Sequence, residues 1–464
     1  MSDINNIKNV YFLGIGGIGM SALARYFHTL GKQVAGYDRT ATDLSRLLEQ
    51  EGIAIHYTDD VNAIPAAMLS DSANTLVVYT PAVPATHSEY LFLLKNGFSI
   101  KKRAEVLGLI SKSKDVIAIA GTHGKTTTST ITAHLLKQSH LGCSAFLGGI
   151  SLNYGSNLLL SETSSFVVAE ADEYDRSFLQ LYPRLAVVTA MDADHLDIYG
   201  THEEVKKAFW QFISQIQAGG CLVIKKGLET GNPSHVRIYT YSLDEEADFY
   251  AEKIIAKDGL YHFDLNTPFG KITDITLGFP GLLNVENAIA AYAMALLAGA
   301  YREEIREAMK SFLGVQRRFD VHIRHRDFMM IDDYGHHPEE LRYTISSVKE
   351  LYPGKFVTGI FQPHLFSRTQ DFAAEFAQSL DLLDQVILLD IYPAREKPIP
   401  GVTSNIIFDR IKNKNKILCN KTELLSVLET IEKPDIVLTM GAGDIDTFLK
   451  PMKEFFITQY KLNE

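Results

Sequence analysis

The hydrophobic pattern of the chain starts the same way three times. It first reads VYFLGIGGIGMSALARYFHTLG: an apolar run, a glycine turn, then apolar residues at helical spacing that stop at Gly31. Short apolar runs follow in QVAGYD and NTLVVYTPAV. Strands alternating with helices predict a parallel, doubly wound sheet, and the polar stretch SKSKD (111–115) marks its end. The second start is VIAIA (116–120), the turn GTHGK and the helical TTTSTITAHLLKQ, with buried strands at SFVVAE (165–170) and LAVVTAM (185–191). From Gly220 to Phe279 the runs are short and alternating, which predicts a small β-rich insertion, and NVENAIAAYAMALLAGA returns to helical spacing. The third start follows GVQRRFD (314–320), with strands at FMMIDD, KFVTGIF, DQVILLD, NKILC and DIVLTMG. The pattern predicts an α/β chain of three domains. Residues 1–110 and 317–464 form Rossmann-like domains, and 111–316 form a P-loop domain with a parallel sheet and the small β insertion.

Composition narrows the function. A length of 464 residues fits three domains at roughly 150 residues each. A net charge of −11 argues against a general nucleic-acid binder, which presents a basic face. Cys143, Cys221 and Cys419 are too few and too scattered for a disulfide framework or a zinc site. The opening MSDINNIKNV has no apolar signal core and no run is long enough for a membrane span, so a cytoplasmic location is expected.

The turn IAGTHGKTTT (119–128) follows a strand and opens a helix, the setting a phosphate-binding loop needs. Gly124, Lys125 and Thr126 fit G-x-x-x-x-G-K-[ST], while Ile119 stands at the first glycine position. Backbone N–H groups of Gly121, Thr122, His123, Gly124 and Thr127 at the helix N-terminus would face the phosphates of ATP. Lys125 would reach the β- and γ-phosphates, and the Thr126 hydroxyl would sit on Mg²⁺. Glu170 ends the next predicted strand, followed by Asp172, Glu173 and Asp175; the four acids also fit a solvated loop. His195 stands among Asp192, Asp194 and Asp197 after the following strand, a candidate metal ligand. Mg²⁺ favours oxygen donors, and a histidine among them would admit Mn²⁺.

The earlier turn GIGGIG, Gly14 to Gly19, also joins a strand to a helix, and Asp38 lies 24 residues after Gly14, where a ribose-binding acid is expected. By itself this reads as a nicotinamide-dependent dehydrogenase. The ATP-type loop downstream changes the balance, since hydride transfer has no use for ATP and the same turn holds the diphosphate of a UDP-sugar. Gly14, Gly16, Gly17, Ile18, Gly19, Met20, Ser21 and Asp38 are then candidate substrate contacts.

With these loops the chain carries RAEVL, EADEYDRSF, DADHLDIY, GVQRRFD, DDYGHHPEE, FQPHLFSRT, PIPG and GAGDI. In this order and spacing it resembles the Mur ligases over nearly its whole length. The resemblance implies a UDP-substrate domain, an ATP domain and a C-terminal ligase domain that closes over the site. It also implies ATP-dependent joining of L-alanine to the carboxylate of UDP-N-acetylmuramate through an acyl phosphate, in peptidoglycan precursor synthesis, by a monomer or homodimer. On this resemblance Lys125, Glu170, His195, Arg318 and His337 are catalytic, and Thr126, Glu170 and His195 hold the metal. Asn284 and Asn287 read adenine, and Arg318 and Asp333 contact ATP. His336, His364 and Arg368 lie near the sugar acid and the incoming amino acid. Tyr174 departs from the small polar residue usual there, which bears on substrate contacts rather than on the reaction. Two alternatives stay open: a ligase that reattaches a whole peptide to the same sugar acid, and a dehydrogenase or non-catalytic nucleotide-binding protein.

Overall fold

A computed structural model describes residues 6–112, 114–193, 195–394 and 396–462, so Asp194 lies outside the described residues. Three sheets account for the three starts in the sequence pattern. The first has strands β1 (Asn9–Leu13), β2 (Gln33–Tyr37), β3 (Ala54–His56), β4 (Thr75–Tyr79) and β5 (Ser99–Lys102) in the order β3-β2-β1-β4-β5. All its pairings are parallel. The order reverses direction between β1 and β4, so a crevice opens beyond their C-terminal ends, where ligands of such sheets bind. Leu13, Tyr11, Phe12, Val77 and Val78 are fully buried, because helices cover both faces.

The second sheet runs through β6 (Asp115–Ala120), β7 (Ser144–Ser151), β8 (Ser156–Leu159), β9 (Phe166–Ala171), β10 (Leu185–Val188), β11 (Cys221–Lys225), β12 (Arg237–Ser242), β13 (Phe249–Lys257), β14 (Leu260–Asn266) and β15 (Ile272–Leu277). Its order is β15-β14-β13-β12-β11-β10-β6-β9-β7-β8. β6 lies between β9 and β10, parallel to both, so residues after these three strands emerge side by side. The stretch read as a β-rich insertion supplies β11 to β15, which extend this same sheet. The hairpin β7–β8, which the hydrophobic pattern did not single out, forms its opposite edge.

The third sheet contains β16 (Asp320–His325), β17 (Phe328–Asp333), β18 (Val357–Phe361), β19 (Gln385–Leu388), β20 (Lys416–Leu418) and β21 (Ile436–Met440), ordered β16-β17-β21-β18-β19-β20. Only β16 is antiparallel, turned back on β17 as an edge strand. Its core is built from Phe328, Met330, Ile360, Ile387, Val437 and Phe456. The chain packs as two compact units, with the first two sheets' cores in one and the third in the other. Among the described residues no helix is long and apolar enough to cross a membrane.

Candidate active site

The phosphate loop begins where β6 ends. Gly121 and Gly124 have φ of +139° and +79°, a region that costs side-chain-bearing residues energy. A Cβ on Gly121 would overlap the Thr189 hydroxyl, and one on Gly124 would lie 2.6 Å from Asn287 Oδ1, so both positions demand glycine twice over. Gly124 caps the helix Lys125–Gln138, whose first residues are the lysine and threonine of the motif. Thr122 and Asp192 clasp the loop: Asp192 N donates to Thr122 Oγ1 at 3.1 Å, and the Thr122 hydroxyl donates to Asp192 Oδ2 at 3.3 Å. His123 Nε2 lies 3.5 Å from the same carboxylate, and the Thr189 hydroxyl donates to the His123 carbonyl. Thr127 is buried on the helix, and Thr128 donates to Asn287 Oδ1 at 3.2 Å. This places Asn287 against the phosphate loop.

Lys125 is held from two sides. Its ammonium donates to the Gly121 carbonyl at 2.7 Å and to Glu173 Oε1 at 2.9 Å. Burial pushes the ammonium toward losing its proton, but Glu173, Asp172 and Glu170 outweigh it and hold the pKa above the ordinary value. Burial also raises the pKa of Glu173 despite the nearby lysine. Glu173 Oε1 is in addition 3.8 Å from His195 Nε2, so one carboxylate links the lysine to the histidine. His195 has a left-handed backbone, φ +52°, and meets the edge of the Tyr174 ring at 5.2 Å.

Thr126 donates its hydroxyl to Glu170 Oε1 at 3.2 Å. Those two oxygens are close to the separation of about 2.9 Å between neighbouring ligands of an octahedral Mg²⁺ with bonds near 2.0–2.1 Å. This oxygen pair, one member on the helix that opens with the motif lysine, has a spacing that fits a magnesium ion. Gly148 on β7 is the backing for Glu170, since a Cβ there would overlap its carboxylate.

The glycine turn after β1 is also built tightly. Gly14 has φ +86°, and a Cβ there would come within 2.6 Å of Thr80. Asp38, at the end of β2, accepts from Gly16 N at 2.7 Å, so its carboxylate holds the turn itself. Gly17 caps the helix Ile18–Thr29, in which Met20 and Ser21 are buried. The Arg103 guanidinium lies over Gly19, where a Cβ would sit 2.8 Å from Nη1, and is 3.4 Å from Asp172. Lys102 donates to Asp175 at 2.6 Å. Two cations from the end of the first sheet thus meet the acidic EADEYD segment of the second. Between them lies a cavity of about 250 Å³ lined by Gly17, Ile18, Gly19, Met20, Arg103, Glu170 and Asp172. The glycine turn and Glu170 line the same space.

Asn157 on β8 fixes this arrangement. Its amide donates to the Ile18 carbonyl at 2.6 Å and to Ser21 Oγ at 2.9 Å, and its oxygen accepts from Arg25 at 2.6 Å.

Three profiles cover most of the sequence: the Mur ligase family catalytic domain at 9–115, the Mur ligase middle domain at 119–295, and the Mur ligase glutamate ligase domain at 317–443. The chain belongs to the Mur ligase family. It is 54% identical over 461 residues to the UDP-N-acetylmuramate–L-alanine ligase of Parabacteroides distasonis, covering 99% of both chains. It is 53% identical over 456 residues to the protein of the same name from Porphyromonas gingivalis strain W83, covering 97% of this chain and all of the other. The crystal structure of the UDP-N-acetylmuramate–alanine ligase of Thermotoga maritima superposes with a TM-score of 0.82 at 26% identity, over 98% of this chain and 99% of that one.

In the C-terminal domain of this Mur ligase the remaining candidates cluster at the end of β17. Asp333 accepts from Phe319 N and Gly335 N, both at 2.8 Å, and burial raises its pKa to about 6 against the opposing pull of Arg318. Arg318 lies over the Tyr334 ring at 4.9 Å. Its neighbour Arg317 is locked to buried Asp332 and the Gly441 carbonyl. His337 caps the helix Pro338–Leu351. The His336 ring meets His364 edge-on at 6.0 Å, and burial lowers its pKa, helped by the charge of Arg368. Asn284 donates to the Pro280 carbonyl at 2.6 Å. Glu173, Arg103 and Asn157 are the residues that sequence reasoning left without a role. Glu173 and Arg103 sat inside quoted motifs, whereas nothing marked Asn157 before β8 was seen beside the first helix.

Proposed function

We propose that this chain uses ATP to join L-alanine to the carboxylate of UDP-N-acetylmuramate, forming an amide in peptidoglycan precursor synthesis. The observation that carries the reading is the single cavity shared by the glycine turn, Arg103 and Glu170. A sugar nucleotide clamped at the turn by helix N–H groups and Arg103 can extend its acid toward the ATP loop. Relatives 45–54% identical over nearly the whole chain bear that enzyme name.

A carboxylate is a poor acyl donor because oxide is a poor leaving group. A carboxylate oxygen attacks the γ-phosphorus of ATP, ADP leaves, and an acyl phosphate forms. The amine of alanine then attacks the acyl carbon, phosphate leaves with that oxygen, and the nitrogen loses a proton. Charge accumulates on the phosphoryl oxygens in the first step, where Lys125 and Arg318 supply cations. Thr126, Glu170 and His195 would hold Mg²⁺, which when bound neutralises phosphate charge. Glu173 keeps Lys125 ionised and aimed at the loop until phosphate takes its place. Enclosure between the turn and the EADEYD segment limits the access of water to the acyl phosphate.

Phosphate release from ATP with UDP-N-acetylmuramate and either L-alanine or a tripeptide tests the reading. Release with L-alanine is expected; release with the tripeptide alone would assign the chain to peptide reattachment.

A further inference from the structure

A second cluster of ligating groups follows β3 and β4 of the first sheet and shares no residue with the phosphate loop. Among the described residues, ligand atoms of Asp59, His87 and Glu89 all fall within 4.8 Å of one another. Ordinary structural duties explain the two acids. Asp59 accepts from Ser88 N at 3.0 Å and Glu89 N at 3.3 Å, and so caps the helix Ser88–Lys95 from outside. Glu89 is fully buried, and accepts from the Tyr11 hydroxyl at 2.6 Å and from Asp60 N at 3.1 Å.

Neither duty accounts for His87. It occupies the N-cap position of that helix, yet its side chain makes no cap hydrogen bond. The ring is turned inward against Tyr37, centroids 4.4 Å apart, with its side chain 5% exposed. Both ring nitrogens are buried and neither has a hydrogen-bond partner. A neutral imidazole carries one donor and one acceptor, and a fold seldom buries both unused. Nδ1 points toward Asp59 Oδ1, 3.4 Å away. That is about the 3.4 Å edge of a tetrahedral shell with metal–nitrogen and metal–oxygen bonds near 2.0–2.2 Å.

We propose that Asp59, His87 and Glu89 form a binding site for a divalent transition-metal ion of the zinc class. Three protein ligands leave a fourth position for water. The mixed nitrogen and oxygen set suits zinc better than magnesium. Tyr11 is the outer partner that orients Glu89, the kind of support such ligands need. Tyr37, whose ring lies tilted against His87, precedes the Asp38 that holds the Gly16 turn, so the ion would also stiffen the sugar-nucleotide loop.

Co²⁺ is the probe, because four-coordinate Co²⁺ absorbs visible light strongly and the six-coordinate ion weakly. Titration of the full chain should give intense bands that saturate at one equivalent and are displaced by Zn²⁺. His195→Ala should leave these bands unchanged, whereas His87→Gln should remove them or weaken binding at least tenfold. Folding of each variant is checked by its metal-free melting curve; should His87→Gln not fold, Asp59→Asn, which still accepts the helix N–H groups, takes its place. Intense bands that survive His87→Gln or its replacement Asp59→Asn, or wild-type protein that develops none, would overturn the assignment.

Discussion

The ammonium of Lys125 lies 2.9 Å from a carboxylate oxygen of Glu173, and that carboxylate is only 2% exposed. Removing one member of a buried ion pair strands the other, which costs about 3–5 kcal/mol. Lys125→Ala should therefore destabilise the fold as well as lower turnover by about 10²–10³-fold through loss of a cation on the transferring phosphoryl group. Lys125→Ala combined with Glu173→Gln should regain much of the melting temperature and none of the activity. Thermal melts and phosphate release on the single and double variants separate the two effects.

Gly148 has ordinary backbone geometry, so Gly148→Ala tests only the space its hydrogen leaves for Glu170. The added methyl should push the Glu170 carboxylate away from Thr126. A displacement of about 1 Å at such a site costs roughly 10²-fold in rate. The expected result is a folded protein that needs more Mg²⁺ for half-maximal turnover. An unchanged Mg²⁺ titration would remove Glu170 from the metal site.

Asn157→Ala deletes three hydrogen bonds of a fully buried amide. Stability should fall by about 1–3 kcal/mol. Because the lost bonds anchor the turn at Ile18 and Ser21, KM for UDP-N-acetylmuramate should rise about tenfold, equivalent to ~1.4 kcal/mol. KM for ATP should stay near wild type, and steady-state kinetics with each substrate varied in turn distinguishes the two.

Asp333 gives a pH signature. Its pKa is about 6 in the folded chain, against about 3.9 for an unperturbed aspartate. Between these values the folded state binds the extra proton. The contribution is full below pH about 4 and is lost as pH rises through about 6. The melting temperature of wild type relative to Asp333→Asn should therefore fall as pH is raised from 4.5 to 6.5, by differential scanning calorimetry.

Local chemistry made much of this legible in the sequence. A glycine turn between an apolar run and a helix needs only neighbouring residues, so both loops, Lys125, Thr126 and the strand that carries Glu170 could be read directly. What was hidden depends on how strands and helices pair rather than on the local pattern of apolar residues. β16 is a short edge strand whose partner is set only by the hairpin with β17, and β7–β8 is broken by glycines that weaken its alternation. Asn157 is one asparagine among many until β8 lies beside the first helix, 139 residues earlier in the chain. Asp38 was legible as an acid after β2, but its bond to Gly16 shows it shaping the turn, a role spacing could not distinguish from ribose binding.

In the proposed reaction the sugar acid at the glycine turn is phosphorylated before the amine arrives. UDP-N-acetylmuramate labelled with ¹⁸O in both carboxylate oxygens, turned over with ATP and L-alanine, tests it by mass spectrometry of the released phosphate. One ¹⁸O in every phosphate is the predicted result, since the attacking oxygen leaves with phosphorus. Unlabelled phosphate formed alongside amide would contradict the acyl phosphate and the shared-cavity mechanism with it.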